Sequence, residues 1–206
     1  MVGTNTHRLS EKTCMVTSQT DDIPSVIIPA QALCEVMRVM GDAEEIIVET
    51  DGIKIKISSP KASITSVLIA GNYPEYRKVI PTETTTMAKV NTDDFKKALE
   101  RMSVIAKENK YYVTRLEFFE GNIHIISENA VIGTAEDNIA TIQQTGEFLK
   151  IGFNIQYLLD VVKAIDGDEF TMEMTRNIAP CKITTDSDSN FIYVVTPVRL
   201  KEQKND

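Results

Sequence analysis

The sequence contains no tryptophan, only two histidines and only three cysteines among its 206 residues. Cys14, Cys34 and Cys181 are widely spaced, form no CxxC pair and lie in no Cys/His cluster. This spacing argues against both a disulfide framework and a zinc site, and it predicts reduced, mostly buried thiols. Neither His7 nor His124 occurs in a context typical of a catalytic triad. The alternating pattern around His124 indicates an ordinary strand residue.

Long apolar runs and nucleotide-binding motifs are absent as well. No run approaches the roughly 18 apolar residues that a membrane span needs, and the N-terminal stretch lacks the apolar segment of a secretory signal. Neither GxGxxG nor GxxxxGK followed by Ser or Thr occurs. The stretch from Asp186 to Asn190 starts like a calcium loop, but Phe191 and Pro197 occupy the positions that require Gly and Glu. We therefore expect a cytoplasmic protein with a polar hairpin loop at 186–190, and no catalytic residue, metal ion or cofactor.

Basic residues are outnumbered, since 22 Lys and Arg face 30 Asp and Glu and the formal net charge is −8. Phosphate binding needs clustered Lys and Arg, so this balance argues against nucleic acid as a simple surface partner. It leaves room for a locally basic face. With 42% hydrophobic and 25% charged residues, the composition is typical of a globular protein with one or two domains and a substantial core.

One pattern occurs three times along the chain: a strand runs through a polar or turn residue into a short amphipathic helix. The copies are IIPAQALCEVMRVM at 27–40, KVNTDDFKKALERM at 89–102 and KIGFNIQYLLDVVKAI at 150–165. With a spacing of 62 residues, the aligned apolar positions are Leu33, Phe95 and Tyr157, and one helical turn later Met37, Leu99 and Val161. Asn91 or Thr92 is expected to cap the second helix and Asn154 the third.

Three strand candidates follow each helix, so each unit is predicted to be β-α-β-β-β. The strands are expected at 45–50, 53–58 and 62–69, at 112–119, 122–127 and 133–143, and at 169–175, 181–185 and 191–198. Further strands are expected near 13–16 and at 25–28. Because one helix cannot cover both faces of a sheet, the units should pair, with two helices packed on two sheets. The fold class is therefore α+β with antiparallel sheets and paired helices, and three units leave one without a mate.

Four motifs resemble the family of the bacterial DNA polymerase III beta subunit, the sliding clamps. Near the N-terminus, GTNTHRL is similar to the family's TDGHRL, and in the linker YPEYRKVIP is similar to FPDYRRVIP. The helix that follows IGFN is similar to the family's helix at that place, and the closing stretch YVVTPVRL is similar to YVVMPMRL. The motifs occur in the family's order over nearly the whole chain. The resemblance implies the DNA clamp fold, with residues 1–81 as the second half of the middle domain and its linker, 82–200 as the C-terminal domain, and 201–206 as a polar tail.

The resemblance also implies a function in DNA replication. Family members are non-catalytic processivity factors that join head to tail as a dimeric ring around duplex DNA. They tether polymerase III subunits, the clamp loader and other proteins through short clamp-binding peptides. Because the family's N-terminal domain has no counterpart in this sequence, we expect a monomer that does not close the usual ring. Two alternatives stay open: a stand-alone peptide-binding module that never encircles DNA, and an enzyme with a site built on the loops.

By resemblance, the peptide groove lies at the seam of the middle and C-terminal domains. Its residues would be Thr4, His7, Arg8 and Leu9, then Pro74, Lys78 and Val79 of the linker, and Asn154, Tyr157, Ile178, Pro180, Val194, Val195, Thr196, Pro197, Val198, Arg199 and Leu200. The sequence departs from the family at Thr6, where the family has Gly. It also departs at Thr196 and Val198, where the family commonly has Met. Because Met is the more flexible side chain, this difference predicts a less adaptable pocket.

Two further surfaces follow from the resemblance. Lys97 and Arg101 share one helix face and are expected to face DNA, although a solvated helix face is the simpler interpretation of such a pair. The subunit interface of the family corresponds here to Val104, Ile105, Glu136 and Asp137.

Overall fold

The structure, a computed structural model, describes residues 1–20, 24–107 and 112–200. Within these ranges the elements in chain order are β1 (Val2–Thr4), β2 (Arg8–Lys12), α1 (Ala30–Met40), β3 (Ile47–Thr50), β4 (Lys54–Ser59), β5 (Ala62–Val67), a 3-10 helix (Tyr76–Val79), β6 (Thr86–Asn91), α2 (Thr92–Ala106), β7 (Val113–Phe119), β8 (Asn122–Asn129), β9 (Gly133–Ala140), β10 (Gln143–Thr145), β11 (Leu149–Asn154), α3 (Ile155–Ala164), β12 (Glu169–Met174), β13 (Cys181–Thr185) and β14 (Asp188–Val195). No described helix is long and apolar enough to cross a membrane.

The chain forms two compact units. The large unit comprises Met1–Met15 and Arg77–Asp206, and the small unit comprises Val16–Tyr76. Three βαβββ repeats are distributed over them. Repeat 1 is residues 25–28, α1 and β3–β5 in the small unit. Repeat 2 (β6, α2, β7–β9) and repeat 3 (β11, α3, β12–β14) lie in the large unit.

The large unit contains two antiparallel sheets, and these confirm the predicted α+β class. One sheet has the order β1-β2-β14-β13-β12-β6-β10 and the other β11-β7-β8-β9. Helices α2 and α3 contact each other, and their apolar faces enter one core with both sheets. Phe95 and Phe170 meet edge to face at 5.3 Å between ring centroids. Burial of such rings supplies much of the free energy that holds a core together.

Repeats 2 and 3 exchange their first strands. Strand β6 of repeat 2 pairs with β12 of repeat 3, and β11 of repeat 3 pairs with β7 of repeat 2. The register is the same on both sides, because Asn91 lies opposite Glu169 and Asn154 lies opposite Val113. Each repeat therefore completes the sheet of the other.

Asparagine caps begin both helices of the large unit, as the sequence predicts. The Asn91 side chain accepts hydrogen bonds from the backbone N–H groups of Asp93 and Asp94, and the Asn154 side chain accepts one from that of Gln156. Such caps satisfy backbone donors that have no partner inside the helix.

The caps correct the predicted alignment of the third repeat. Pro29 and Asn91 are 62 residues apart, but Asn91 and Asn154 are 63 apart. The buried residue equivalent to Phe95 is thus Leu158, not Tyr157, which is only half-buried. The extra residue matters because it places Tyr157 at the edge of the core, half-buried and packed against it.

The small unit has a three-stranded sheet of order β3-β4-β5. Its core is Val36 and Met40 of α1 with Ile55 and Ile57 of β4. Met37 was predicted to belong to the apolar stripe, but its side chain is 74% exposed.

Several strand predictions were wrong in detail. Residues 13–16 form no strand, because the chain leaves the sheet after β2. Residues 25–28 form no ladder. The strand predicted at 133–143 divides into β9 and β10, which belong to different sheets. The last strand begins at Asp188, so the hairpin turn is shorter than expected, and it ends before Pro197, which cannot donate to a ladder.

The thiols also differ from expectation, since Cys14 and Cys34 are exposed and only Cys181 is buried. Burial raises the pKa of the Cys181 thiol. The domain boundary at residue 81 stays a prediction. The compact units are a different division, because Met1–Met15 joins the sheet that contains the last strand of the chain.

Candidate functional site

A tight turn joins β1 to β2 and presents His7 and Arg8. The Asn5 side chain accepts hydrogen bonds from the backbone N–H groups of His7 (3.2 Å) and Arg8 (3.1 Å), and the Thr4 hydroxyl donates to the Arg8 carbonyl at 2.8 Å. Thr6 has a φ of +73°, a left-handed conformation that is strained for a β-branched residue. Thr6 is the residue at which the resembling family has Gly.

Arg8 is held by helix α3. Its Nη1 donates to Asp160 Oδ2 at 2.5 Å, and its guanidinium carbon lies 4.5 Å from the centre of the Tyr157 ring. Gln156 donates to the other oxygen of Asp160 at 2.8 Å. This geometry combines an ion pair with a cation–π contact, so the arginine is fixed in one orientation.

We call Arg8, Gln156, Tyr157, Asp160 and Tyr193 the Arg8 cluster. The charges within it stabilise one another. Burial alone would lower the pKa of Arg8, but its hydrogen bonds with Asp160 and Tyr193 outweigh that effect and raise the pKa. Burial alone would raise the pKa of Asp160, but hydrogen bonds from Arg8 and Gln156 lower it. Burial raises the pKa of Tyr193. Both Arg8 and Asp160 are therefore charged at neutral pH.

The same cluster reaches the end of β14. His7 stacks on Tyr157 with 6.4 Å between ring centroids. The His7 carbonyl accepts hydrogen bonds from the backbone N–H and the hydroxyl of Thr196, both at 2.9 Å. Tyr193 donates to the Tyr157 carbonyl at 3.1 Å. The N-terminal turn, α3 and the C-terminal segment thus form one continuous wall.

The C-terminal segment 196–200 crosses strand β11 at a glycine. The Val198 N–H donates to the Gly152 carbonyl at 2.8 Å. A Cβ atom at Gly152 would lie 2.6 Å from Leu200 Cδ2 and 2.8 Å from the Val198 carbonyl oxygen. Both distances are shorter than van der Waals contact, so only glycine allows the segment to lie this close. Arg199 is exposed and the other four residues of the segment are half-buried.

A cavity of about 500 Å³ opens beside Tyr157. It is lined by Lys107, Tyr112, Asn154, Gln156 and Tyr157. This volume is in the range of small-ligand and peptide side-chain sites, and a few polar groups beside aromatic rings, here two amides and one cation beside two tyrosines, are typical of such sites.

The remaining predicted groove residues differ in their placement. Leu9, Val194 and Val195 are buried, so they support the wall from inside and offer no side-chain surface. Lys78 and Val79, on the 3-10 helix, are exposed, as is Ile178, while Pro180 is half-buried. Pro74 is an exposed residue of the small unit.

Sequence reasoning missed Asp160, Gln156, Lys107 and Tyr112. Asp160 and Gln156 lie four residues apart on α3, which on sequence alone indicates a solvated face. The signal that would have revealed them is Arg8, a cation 152 residues away.

Both residues predicted to face DNA have acidic partners. Lys97 Nζ lies 2.7 Å from Asp93 Oδ2, and Arg101 donates two hydrogen bonds to Asp137 Oδ2, at 2.9 and 2.5 Å. The hydrogen bond with Asp93 raises the pKa of Lys97, and the same bond lowers that of Asp93. Intramolecular partners of this kind reduce the positive potential that the two cations present to a phosphate.

Asp137 links this face to the predicted subunit interface. Val104 is exposed on α2 and Ile105 is half-buried, and Asp137 and Glu136 lie on β9, an edge strand of its sheet. Glu136 lies 3.3 Å from His124. Among the described residues, no three His, Cys, Asp or Glu side chains are grouped so that they could hold a metal ion.

Two family descriptions match the chain. That of the DNA polymerase III beta subunit, C-terminal domain, matches residues 77–199, and that of the central domain of the same subunit matches residues 1–75. Together they include the Arg8 cluster, the cavity and all three repeats.

Individual relatives agree with these matches. The chain is 30% identical to a beta sliding clamp of Streptococcus pneumoniae over 96% of its own length and 53% of that protein's. A solved DNA polymerase sliding clamp from Bacillus subtilis superposes with a TM-score of 0.91 at 29% identity, over 97% of this chain and 53% of that one. A sliding clamp from Bartonella birtlesii, solved bound to griselimycin, gives 0.89 at 32% identity, over 97% and 54%.

The chain spans about half the length of the relatives that it matches. The first family description alone covers more than half of the residues. The chain therefore belongs to the DNA polymerase III beta subunit family, the bacterial sliding clamps.

Proposed function

We propose that this chain is the groove-bearing part of a DNA sliding clamp, a non-catalytic processivity factor of DNA replication in the cytoplasm. Its groove binds the clamp-binding peptides of polymerase III subunits, the clamp loader and other partners. The observation that carries this proposal is the wall formed by Arg8, Tyr157 and the segment 196–200 beside the cavity. The related clamp solved with griselimycin supports a ligand site in the family.

The chemistry of the wall suits a short peptide that is mainly apolar. The Tyr157 ring and the half-buried segment 196–200 provide apolar surface, and the cavity provides a pocket for a side chain. Lys107 at the cavity and the exposed Arg199 favour polar or acidic neighbours in the peptide. Arg8 is already paired with Asp160, so its role is to hold the aromatic wall in position. The attraction of acidic peptide residues is then due to Lys107 and Arg199.

The proposal is tested by calorimetry with a synthetic peptide that carries the clamp-binding motif of a replicative polymerase. We expect a dissociation constant near 1 μM, about −8 kcal/mol. Deletion of 197–200 should abolish binding. This deletion leaves β14 intact, since that strand ends at Val195. Equal affinity before and after the deletion would exclude the groove.

We propose that Lys97 and Arg101 face DNA when the clamp encloses it, but that the isolated chain binds duplex poorly. Two or three phosphate contacts would give a slope of log K against log salt of only about −2 to −3. The acidic partners of both cations and the net charge of −8 weaken even that attraction. Anisotropy with a labelled duplex should detect binding only at low salt. Tight, salt-resistant binding would contradict enclosure as the mechanism.

The two ion pairs also favour the alternative of a stand-alone peptide-binding module that never encircles DNA. Asp93→Asn combined with Asp137→Asn discriminates between the two functions, because it frees both cations without touching the groove. If the face is a DNA surface, the double variant should strengthen low-salt binding several-fold. If the double variant still does not bind DNA while it binds the peptide normally, the chain is better described as a stand-alone peptide-binding module.

A further inference from the structure

Both oxygens of one carboxylate at the wall have partners inside the molecule. Asp160 Oδ2 accepts a hydrogen bond from Arg8 Nη1 at 2.5 Å, and Asp160 Oδ1 accepts one from Gln156 Nε2 at 2.8 Å. A charge-assisted bond to a guanidinium adds geometric specificity as well as energy. The carboxylate of Asp160 is therefore oriented toward Arg8, and its charge is directed at that residue.

The guanidinium that this carboxylate neutralises is part of the surface of the wall. The Arg8 side chain is 29% exposed, and its guanidinium carbon lies 4.5 Å from the centre of the Tyr157 ring. A guanidinium that lies on an aromatic face and reaches solvent is a strong binding group for carboxylates. Because Arg8 is paired with Asp160, the two charges cancel at this point of the wall.

Two other cations of the site differ from Arg8 in this respect. Lys107 lines the cavity and Arg199 is exposed, and neither forms an ion pair within the described residues. The attraction that the site offers to an acidic group is therefore uneven. Positive charge is available at Lys107 and Arg199, whereas it is cancelled beside Tyr157.

We propose that Asp160 determines which peptide side chains the groove accepts beside Tyr157, an inference that rests on the function proposed above. Asp160 acts through Arg8, whose charge it neutralises. The wall at this point then selects apolar or uncharged polar side chains, because an acidic one would meet the like charge of Asp160. Acidic residues of a bound peptide are directed to Lys107 and Arg199 instead.

An aspartate scan of the synthetic clamp-binding peptide tests this proposal by calorimetry. Each peptide position carries Asp in one version and Asn in the other, and the measured quantity is the ratio of the two affinities. Asp160→Asn keeps the shape of the side chain but removes its charge, so the ratio should rise about threefold to tenfold at the positions beside Tyr157. Asp160→Glu keeps the charge and should stay near the wild-type ratio. A merely structural role would weaken both peptide versions alike and leave the ratio unchanged.

Asp166→Asn is the matched control, because Asp166 is exposed beyond the end of α3 and its loss changes the net charge by the same amount. It should leave every ratio unchanged at an ionic strength of about 0.15 M, where distant exposed charges are largely screened. Arg8→Gln combined with Asp160→Asn should show no rise, because the unpaired guanidinium is gone. A rise that persists without Arg8 would point to Lys163, three residues after Asp160 on α3, and would overturn the proposal.

A titration with sodium acetate at constant ionic strength separates this inference from the proposed function, because it requires no peptide. The NMR signal of the Arg8 Nε–H group should shift on addition of acetate in Asp160→Asn and stay nearly constant in the wild-type chain. If no peptide binds the wild-type chain, the proposed function is wrong, and the acetate titration still decides the role of Asp160. The inference is overturned if acetate shifts the Arg8 signal equally in both proteins, or if Asp160→Asn leaves all affinity ratios unchanged.

Discussion

The large and small units contain the same βαβββ repeat in two states of completion. In the large unit, two repeats exchange first strands, and α2 and α3 bury Leu99 and Val162. In the small unit, a single repeat leaves Met37 and the β3 edge in contact with solvent. A repeat therefore forms its helix and hairpin strands by itself, whereas its first strand and the second face of its helix are packed only where two repeats meet within the described residues.

The largest contrast should come from equivalent helix positions. Leu99→Ala removes a fully buried side chain and should cost about 2–5 kcal/mol of unfolding free energy. Met37→Ala, at the equivalent and exposed position of α1, should change it by less than about 0.5 kcal/mol. Urea unfolding of both variants checks the pair. Similar losses at the two positions would mean that the difference in packing is not real.

The C-terminal wall can be broken at Gly152. Gly152→Ala places a Cβ against the Val198 carbonyl, so the segment 196–200 must move, at a cost of about 1–3 kcal/mol. Calorimetry should show that peptide affinity falls at least about tenfold. Gly3→Ala is the control, because a Cβ there meets nothing within 4 Å. An unchanged affinity for Gly152→Ala would separate this segment from the groove.

The helix cap gives a smaller effect. Asn91→Ala removes the acceptor for two backbone N–H groups at the start of α2 and should cost about 1 kcal/mol. Asn91→Asp is the control, because it keeps a side-chain acceptor at the cap and should cost only about a few tenths of a kcal/mol. Thermal unfolding followed by circular dichroism measures both. A loss with Asn91→Asp as large as with Asn91→Ala would contradict the capping argument.

The N-terminal turn should be improved by one substitution. Thr6→Gly relieves the left-handed conformation of a β-branched residue and should raise the unfolding free energy by up to about 1 kcal/mol. Thr13→Gly, at a residue without a positive φ, should lower it, because glycine adds entropy to the unfolded chain. Stabilisation by both changes, or by neither, would argue against strain at Thr6.

The smallest effect is the pH dependence of the Arg8–Asp160 pair. The folded-state pKa of Asp160 is lowered, so the stability that it contributes is present above the ordinary aspartate pKa of about 3.9 and is lost as the pH falls through the folded value. Because both side chains are partly exposed, the contribution is about 0.2–1 kcal/mol. Wild type and Asp160→Asn should differ at pH 7 and converge in acid. A difference that persists at pH 2 would need another cause.

Local features were predictable from the sequence, and pairing between distant segments was not. Asn91 and Asn154 are caps because a side chain two or three residues from a backbone N–H can bond it, which requires no tertiary structure. The exchange of β6 and β11 depends on which sheet edge is open after folding, and a sequence pattern does not specify that choice. The wrong alignment of Tyr157 has a different cause, since it used a uniform spacing of 62 residues although the two predicted caps are 63 residues apart.

The candidate site shows the same division. The motifs predicted His7, Arg8, Tyr157 and the segment 196–200, and the structure brings these residues together in one wall. Asp160 was missed because its role depends on Arg8, which folding brings from the other end of the large unit. Leu9, Val194 and Val195 belong to the same motifs, but their side chains are buried. Val194 and Val195 are consecutive and point to opposite faces, so both faces of β14 are covered at this end of the strand.

Amide hydrogen exchange tests most directly whether the exchange of first strands between repeats 2 and 3 holds the large unit together. We expect strong protection for the amides of β6 and β11 that bond to β12 and β7. Amides of β3, an edge strand that pairs with β4 within the described residues, should exchange faster. Rapid exchange in β6 and β11, at the rate seen in β3, would contradict this difference between the two units.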